Sequence, residues 1–317
     1  MATRVTSMME SGLLVAITVV MALIGVYVPL LGTAAVLMWP LPILVLIVRH
    51  GMKWGLMAVF VSAVLMATLI EPGRSLVLVL ALSPGGVALS LGFRNDWSSV
   101  RTLVTGIACS MTAKLVALAL MFALTGVEPF SMQFEVMEQS FDSTVEMYRS
   151  MGMSDAQIEE SRTMFMENLS MVRLLLPLIV VFMGLMDTVL NYLVGGMVLR
   201  RLGHDVKTLP PFAEWRLPSV FVYVFGFSLV GIYWGLTRNI PLLYQASLNF
   251  SMLATFAGMV QGISVYTYAS RHFHWPKLLS MFFLGFVMLN GFLLRLLCLV
   301  GLFDMVLDYR KRYWAEK

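Results

Sequence analysis

Charged residues are scarce in this sequence. Asp, Glu, Lys and Arg make up 13% of the 317 residues, whereas a soluble globular domain carries roughly 25%. Apolar residues make up 59%, and the mean hydropathy is +0.84. A chain with so few charges cannot cover a water-facing surface, so its main solvent must be apolar. The composition therefore predicts an integral membrane protein whose first partner is the lipid bilayer.

The sequence also lacks the short motifs of nucleotide-binding and hydrolytic proteins. It contains no GxxxxGK[ST] loop, HExxH helix, GxSxG elbow or paired CxxC. We therefore expect neither an enzyme nor a metal or cofactor, and no direct use of ATP. Cys109 and Cys298 both lie in apolar runs, where inert thiols are favoured over a disulfide. No basic stripe alternates with aromatic residues, so no nucleic-acid partner is predicted.

Long apolar runs are, by contrast, abundant. A helix needs roughly 20 apolar residues, within a range of about 17–25, to cross a bilayer. The runs are continuously apolar and do not alternate, which favours helices over a β-barrel. They predict an all-α, polytopic transmembrane helix bundle. The candidate spans are 11–31, 36–48, 54–70, 75–93, 102–126, 171–199, 218–237, 243–270 and 278–303.

The distribution of Lys and Arg predicts the orientation of the bundle. Basic residues are more frequent in the loops that would share a side with the N-terminus, so we expect a cytoplasmic N-terminus in a bacterial inner membrane. Nine crossings would place the basic C-terminal tail, 304–317, on the opposite side. The last run, 278–303, contains Asn290, Gly291 and Arg295. We expect this run to be broken, so that the chain crosses about eight times, within a range of eight to nine.

One extensive polar segment, 127–170, separates the fifth and sixth spans. It contains nine of the 18 acidic residues. Apolar residues recur within it at three- and four-residue spacing, which is typical of an amphipathic helix. Ser154 and Gln157 match a capping box at the start of a second helix. We predict an acidic, extracytoplasmic helical hairpin that is inserted in a single transmembrane domain, 1–317.

Two ionisable residues fall near the middle of apolar runs. Lys114 lies 13 residues from Arg101, and Asp187 lies 13 residues from Arg200. At a rise of 1.5 Å per residue, both lie roughly 20 Å from the same membrane surface, and Asn191 lies one turn from Asp187. Intramembrane charges are costly, so we predict that Lys114 and Asp187 pair. With Asn191 they either line a path for a solute or ion, or fix the register of two helices.

Weaker polar candidates lie in the last apolar run. They are Asn290 and Arg295, and the arginine is close enough to a helix end for its side chain to reach the interface. Ala254, Gly258 and Gly262 follow a small-xxx-small pattern, which lets a second helix approach closely. We predict that these three residues pack helices and do not bind a ligand.

Five stretches, taken in order, resemble the YybS-like family of uncharacterised bacterial membrane proteins, a domain of unknown function. They are WPLPILVLIVRHG, MDTVLNYLVGGMVLRRLG, PPFAEWRLP, LNFSMLATFAGMVQGISV and GLFDMVLDYRKR. That family is distantly similar to the substrate-binding S components of energy-coupling factor vitamin transporters, which lack an ATPase of their own. The resemblance implies a helical membrane fold and assigns no functional residue.

Together these features predict a transport-related permease subunit that binds a small solute. It would depend for energy on a membrane protein partner or an ATP-driven transporter module. The alternative is a membrane scaffold or assembly factor that recruits a protein, and a third hypothesis is an intramembrane enzyme acting on lipid. A hydrated cavity at Lys114 and Asp187 would favour transport, whereas a dry, packed pair would favour the scaffold.

Overall fold

The computed structural model describes residues 4–28, 31–126, 128 and 130–313. Every regular element within these ranges is helical, and a short 3-10 helix at Phe212–Glu214 precedes α10. The α-helices are α1 (Arg4–Tyr27), α2 (Leu31–Met38), α3 (Leu41–His50), α4 (Met52–Leu69), α5 (Pro72–Arg94), α6 (Ser99–Thr125), α7 (Ser131–Ser150), α8 (Asp155–Leu174), α9 (Leu176–Arg201), α10 (Val220–Thr237), α11 (Pro241–His272), α12 (Lys277–Leu289), α13 (Gly291–Leu307) and α14 (Tyr309–Tyr313).

Within the described ranges, eight segments are long and apolar enough to cross a membrane. The protein is therefore an all-α, multi-pass membrane protein, as its composition predicts. The eight candidate spans are Ser7–Tyr27, Leu31–His50, Met52–Leu69, Pro72–Arg94, Ser99–Thr125, Leu176–Arg201, Val220–Thr237 and Pro241–His272. Helices α12 and α13 meet at 106° around Asn290, which confirms the predicted break in the last apolar run.

The second span is longer than the apolar run at 36–48 predicts. It extends over Leu31–His50 as two helices, α2 and α3, joined at Trp39 and Pro40. The run was underestimated because residue 31 was assigned to the first span and residues 32–35 to a loop. Pro42 lies in the first turn of α3, where its missing N–H removes no intrahelical hydrogen bond.

Helix α3 ends at Gly51, and Arg94 of α5 donates a hydrogen bond to the last turn of α3. Gly51 has φ +101°, a backbone conformation that L side chains rarely adopt. Arg94 Nη1 donates to Ile47 O at 2.9 Å, a carbonyl in the last turn of α3 that also accepts from Gly51 N at 2.9 Å. Arg94 and Gly51 thereby fix the end of α3 that carries Arg49 and His50.

The helices group into two compact units. The first comprises Met1–Leu169 and Ile179–Thr208, and the second comprises Ser170–Leu178 and Leu209–Lys317. In the first unit α1 packs against α2, α3 and α4, while α5 packs against α3, α4 and α6. In the second unit α11 packs against α10 and α13, and α12 packs against α13. The single transmembrane domain, 1–317, stays a prediction.

Helices α7 and α8 form the polar segment between the fifth and sixth spans. The rings of Phe141 and Phe165 stack with centroids 4.2 Å apart, and Arg162 Nη2 lies 3.2 Å from Asp142 Oδ1. Ser154 N donates to Gln157 Oε1 at 3.2 Å, and Gln157 N donates to Ser154 Oγ at 3.4 Å. The predicted capping box is thus confirmed, while the side of the membrane on which α7 and α8 lie stays a prediction.

Candidate functional site

Lys114 and Asp187 form a buried ion pair in the first unit. Lys114 Nζ donates to Asp187 Oδ2, and the two residues are 7% and 4% exposed. Lys114 lies 15 residues after the start of α6 and Asp187 lies 11 residues after the start of α9. At 1.5 Å per residue, Lys114 lies about 22 Å from the start of α6 and Asp187 about 16 Å from the start of α9. The two side chains that the sequence places at equal depth are therefore in contact, far from either end of their helices.

Ser110 bridges the two charges. It lies one turn before Lys114 on α6, and its Oγ accepts from Lys114 Nζ at 2.8 Å. The same hydroxyl donates to the carboxylate of Asp187, whose oxygens are 3.0 and 3.1 Å away. Thr188 Oγ1 lies 3.1 Å from Asp187 Oδ1. Both charges are buried and have several polar partners among the described residues, so the pair is internally satisfied.

The third partner of Lys114 is a backbone carbonyl of α5, in the turn before Pro84. Pro84 lies inside this helix and lacks the N–H that a regular helix would use at its position. Lys114 Nζ lies 3.4 Å from the carbonyl oxygen of Ala81, three residues earlier. The carbonyl that loses its helical donor at Pro84 is that of Leu80, so the contact with Ala81 O does not replace the missing bond. Gly85 allows the close approach, since a Cβ there would lie 3.0 Å from Ser110 Cβ.

Asn191 extends this network toward α2. Its Nδ2 donates to Asp187 O at 2.6 Å and to Leu37 O at 2.7 Å. The residue is 2% exposed, yet its Oδ1 has no hydrogen-bond partner among the described residues. Asn191 therefore links α9 to α2 through its amide nitrogen and leaves one buried acceptor unused.

Two more buried polar atoms of the first unit have no hydrogen-bond partner among the described residues. They are Trp39 Nε1 and Ser83 Oγ. Trp39 lies two residues after Leu37, whose carbonyl Asn191 binds. Ser83 lies three residues before Gly86, where a Cβ would be 2.6 Å from Pro40 Cβ. We call Trp39, Ser83 and Asn191 the polar joint. Native proteins leave few buried polar groups unpaired, so this grouping requires an explanation.

The weaker polar candidates lie at the start of α13. Asn290 Oδ1 accepts from the backbone N–H groups of Phe292 and Leu293, both at 3.1 Å. Asn290 is thus an N-cap, a common role for this residue type. Asn290 and Arg295 are both exposed.

The small residues of α11 lie where this helix meets α13. A Cβ on Gly258 would be 2.7 Å from Cys298 O, and one on Gly262 would be 2.2 Å from Leu297 O. Ala254 is fully buried. The glycines let the two backbones approach more closely than any larger residue would permit.

The comparisons with known proteins identify the family. A family described as "Predicted membrane protein (DUF2232)" matches residues 16–305. The chain belongs to this family. It is also 24% identical over 309 residues to "Uncharacterized protein YybS" of Bacillus subtilis (strain 168), a match that covers 96% of this chain and 98% of the relative. The YybS-like resemblance of the five stretches is thereby confirmed. No solved structure matches the chain.

The second unit of this DUF2232 protein contains a buried ion pair that sequence reasoning missed. Arg310 Nη2 lies 3.3 Å from Asp304 Oδ2, and the residues are 3% and 4% exposed. Arg310 Nη1 donates to Ala213 O at 2.5 Å, and Nη2 donates to Trp215 O at 3.0 Å. Arg310 lies in the segment predicted as a basic tail, where a cation is ordinarily solvated. The usable signal was the proline-rich PPFAEWRLP segment, whose non-helical carbonyls need donors.

Gln261 connects the same cluster to α11. Its Nε2 donates to Asp304 Oδ2 at 2.6 Å, and its Oε1 accepts from Leu217 N at 3.0 Å. Ser264, on the same helix, donates its hydroxyl to Phe212 O at 2.7 Å. Side chains of α11, α13 and α14 therefore hold the irregular segment before α10.

A further polar network links α1 to the end of α3. His50 Nδ1 lies 3.0 Å from Ser7 Oγ, and His50 Nε2 lies 2.5 Å from Glu10 Oε2. Arg49 Nη2 lies 3.1 Å from Glu10 Oε1. Sequence reasoning missed this network because Arg49 and His50 were treated as loop residues. In the described part of the chain, no group of three or more His, Cys, Asp or Glu side chains is placed to hold a metal ion.

Proposed function

We propose that the protein binds a small, hydrogen-bonding solute inside the membrane as a transport-related permease subunit. The polar joint carries this proposal, because it offers an indole donor, a hydroxyl and an amide oxygen that the described chain leaves unpaired. Transporters bind solutes near the middle of the membrane, where helices are interrupted and polar groups face a ligand. The α2–α3 joint is such an interruption, whereas Pro84 lies inside α5, which is continuous over Pro72–Arg94.

The ion pair is not the proposed contact with the solute. Lys114 and Asp187 already bind each other and Ser110, so a ligand would have to displace satisfied partners. Asp187 instead orients Asn191 through its backbone carbonyl. In this proposal Asn191 contacts the solute, while Lys114 and Asp187 are positioning residues that hold α6 and α9 together.

The proposed subunit acts by binding alone and performs no chemistry. Energy for transport would come from another membrane protein or an ATP-driven module, as the resemblance to S components expected from the sequence would imply. The orientation predicted from the basic loops would place this subunit in a bacterial inner membrane with its N-terminus in the cytoplasm.

Native mass spectrometry of the purified full chain tests this proposal, with Ser83→Ala as the decisive variant. Removal of an unpaired buried hydroxyl should not lower thermal stability, yet it should lower retention of a co-purified small molecule by about tenfold. The matched control is Ser90→Ala, because Ser90 is a buried serine of the same helix whose Oγ donates to Gly86 O at 2.8 Å. Ser90→Ala should leave retention unchanged. Absence of a retained small molecule from the wild type, or equal retention by both variants, would contradict the proposal.

A membrane scaffold is the second candidate, and two observations favour it. The Lys114–Asp187 pair is buried and already satisfied by its neighbours, which suits a purely structural role. In addition, methionines on α7 and α8, outside the candidate spans, are strongly exposed: Met132 70%, Met147 52% and Met164 54%. Exposed apolar side chains on a polar hairpin are suited to a protein partner.

Replacement of these three methionines by serine separates the two functions. A scaffold should lose its in-cell cross-links to a partner while retention of a small molecule is unchanged. In a solute-binding subunit, Ser83→Ala should lower the retention of the small molecule. The methionine variant should then change neither retention nor cross-linking.

A further inference from the structure

An apolar groove runs along α1 in the first unit. Its volume is about 480 Å³, within the range of roughly 300–1,000 Å³ that is typical of small-molecule sites. Leu13, Ile17 and Met21 line it from α1, Leu41 and Val45 from α3, and Val198 from α9. All three helices belong to candidate spans, so the groove lies at membrane depth.

The groove has one polar end. Glu10 and Arg49 lie among its lining residues, and Glu10 joins Arg49 and His50 as described above. Along α1 the lining extends from Glu10 to Met21, which corresponds to about 16 Å. That length is about half of the roughly 30 Å hydrocarbon core of a bilayer. The groove therefore has the depth of one leaflet, with its ionisable groups at the surface end.

The charges at the polar end favour an anionic group. Arg49 is partly exposed, with 35% of its side chain accessible, while Glu10 supplies one negative charge. Arg200 and Arg201 are exposed and lie in the sequence between two lining residues, Val198 of α9 and Leu202 directly after this helix. Arginine is suited to phosphate because its planar guanidinium can donate two parallel hydrogen bonds.

We propose that this groove binds one acyl chain of an anionic phospholipid, with the lipid phosphate at Arg49. Two lining side chains are exposed at the protein surface, Leu13 at 65% and Ile17 at 41%. The groove is therefore open on this side, and an acyl chain can enter it directly from the bilayer. This lipid site is independent of the polar joint. A free fatty acid shares the same chemistry, an acyl chain with an anionic head, so the experiment must distinguish the two.

Photo-cross-linking of the full chain in vesicles tests the lipid site. One arm contains phosphatidylglycerol with a diazirine near the end of its acyl chain, and the other contains a diazirine fatty acid of equal length. Phosphatidylglycerol should label lining residues near Met21 and Leu41. Ile17→Trp fills the groove and should lower this labelling about tenfold. Leu13→Trp provides a second filling variant at a more exposed position, should Ile17→Trp fail to fold.

Val20→Trp is the matched control on the same helix. Val20 is 52% exposed and does not line the groove, so this substitution should leave the labelling unchanged. Arg49→Gln should lower labelling by phosphatidylglycerol more than labelling by the fatty acid. Labelling by the fatty acid alone would overturn the phospholipid assignment. Equal labelling of the wild type and both filling variants would overturn the site itself.

Discussion

Each of the two units buries an ion pair, but the two pairs are built differently. Lys114 and Asp187 join two long helices far from their ends. Asp304 and Arg310 lie where α13 ends, and they hold the irregular segment that precedes α10. The first pair ties one helix to another, whereas the second also supplies donors to backbone carbonyls that no helix satisfies. Buried charges thus join two helices in one unit and bind an irregular segment in the other.

The choice of cation follows from this difference. The ammonium of Lys114 is a single point at which Asp187, Ser110 and the Ala81 carbonyl converge. Arg310 must reach Ala213 O and Trp215 O with different nitrogens while it also pairs with Asp304. A planar guanidinium reaches separated acceptors with different nitrogens, whereas a lysine would have to bring all three acceptors to one atom.

Breaking the first pair should have the largest effect. Asp187→Ala leaves the ammonium of Lys114 buried without its counter-charge, which should lower the free energy of unfolding by about 3–5 kcal/mol. Denaturation of the purified protein in mixed micelles measures this loss. A loss no larger than that of the exposed carboxylate variant Asp142→Ala would show that the charge of Lys114 is not truly buried.

Arg310→Lys should have the next largest effect. It keeps the charge but cannot donate to both Ala213 O and Trp215 O, so we expect a loss of about 2–3 kcal/mol. Arg312→Lys is the control, because Arg312 is exposed and its replacement should be nearly neutral. Equal unfolding midpoints for the two variants would mean that the fork geometry of Arg310 is unimportant.

Gly258→Ala should have a smaller effect on the second unit. The added Cβ would lie 2.7 Å from Cys298 O and 2.8 Å from Leu302 Cγ, so α11 and α13 would have to separate slightly. We expect a loss of about 1–2 kcal/mol, because separation also strains the Gln261–Asp304 hydrogen bond between these helices. Gly285→Ala is the control, since a Cβ there meets no atom within 4 Å. Identical stability of the two variants would refute tight packing at Gly258.

Asp142→Ala should have the smallest effect. Asp142 and Arg162 pair on the polar hairpin with side chains 62% and 48% exposed, where water already screens their charges. We expect a loss of about 0.2–1 kcal/mol, measured in the same denaturation experiment. A loss comparable to that of Asp187→Ala would remove the contrast between buried and exposed pairs.

The two pairs also differ in how far the sequence could predict them. Lys114 and Asp187 stand out because each is an isolated charge in an apolar run, and helix geometry then places them at equal depth. Arg310 stands among other basic residues, and nothing local indicates which cation folds back onto Ala213 and Trp215. That choice depends on the path of the irregular segment, which is a tertiary property.

The polar joint could not be predicted for a related reason. Trp39 lies in an apolar stretch, where an indole is ordinarily interpreted as a packing side chain. Ser83 lies in another apolar run, directly before Pro84. Whether their polar atoms find partners depends on how α2, α5 and α9 pack. The helical class, most span boundaries and the break at Asn290 follow from hydrophobic run lengths, because membrane thickness constrains them directly.

A double-mutant cycle tests most directly the claim that Lys114 and Asp187 act as one buried unit. The free energy of unfolding is measured for Lys114→Ala, Asp187→Ala, the double variant and the wild type. We predict that the double variant is less destabilised than the sum of the single variants by about 2 kcal/mol, because it leaves no unpaired charge behind. Additive losses would contradict the pairing and, with it, the assignment of both residues as positioning residues that hold α6 and α9 together.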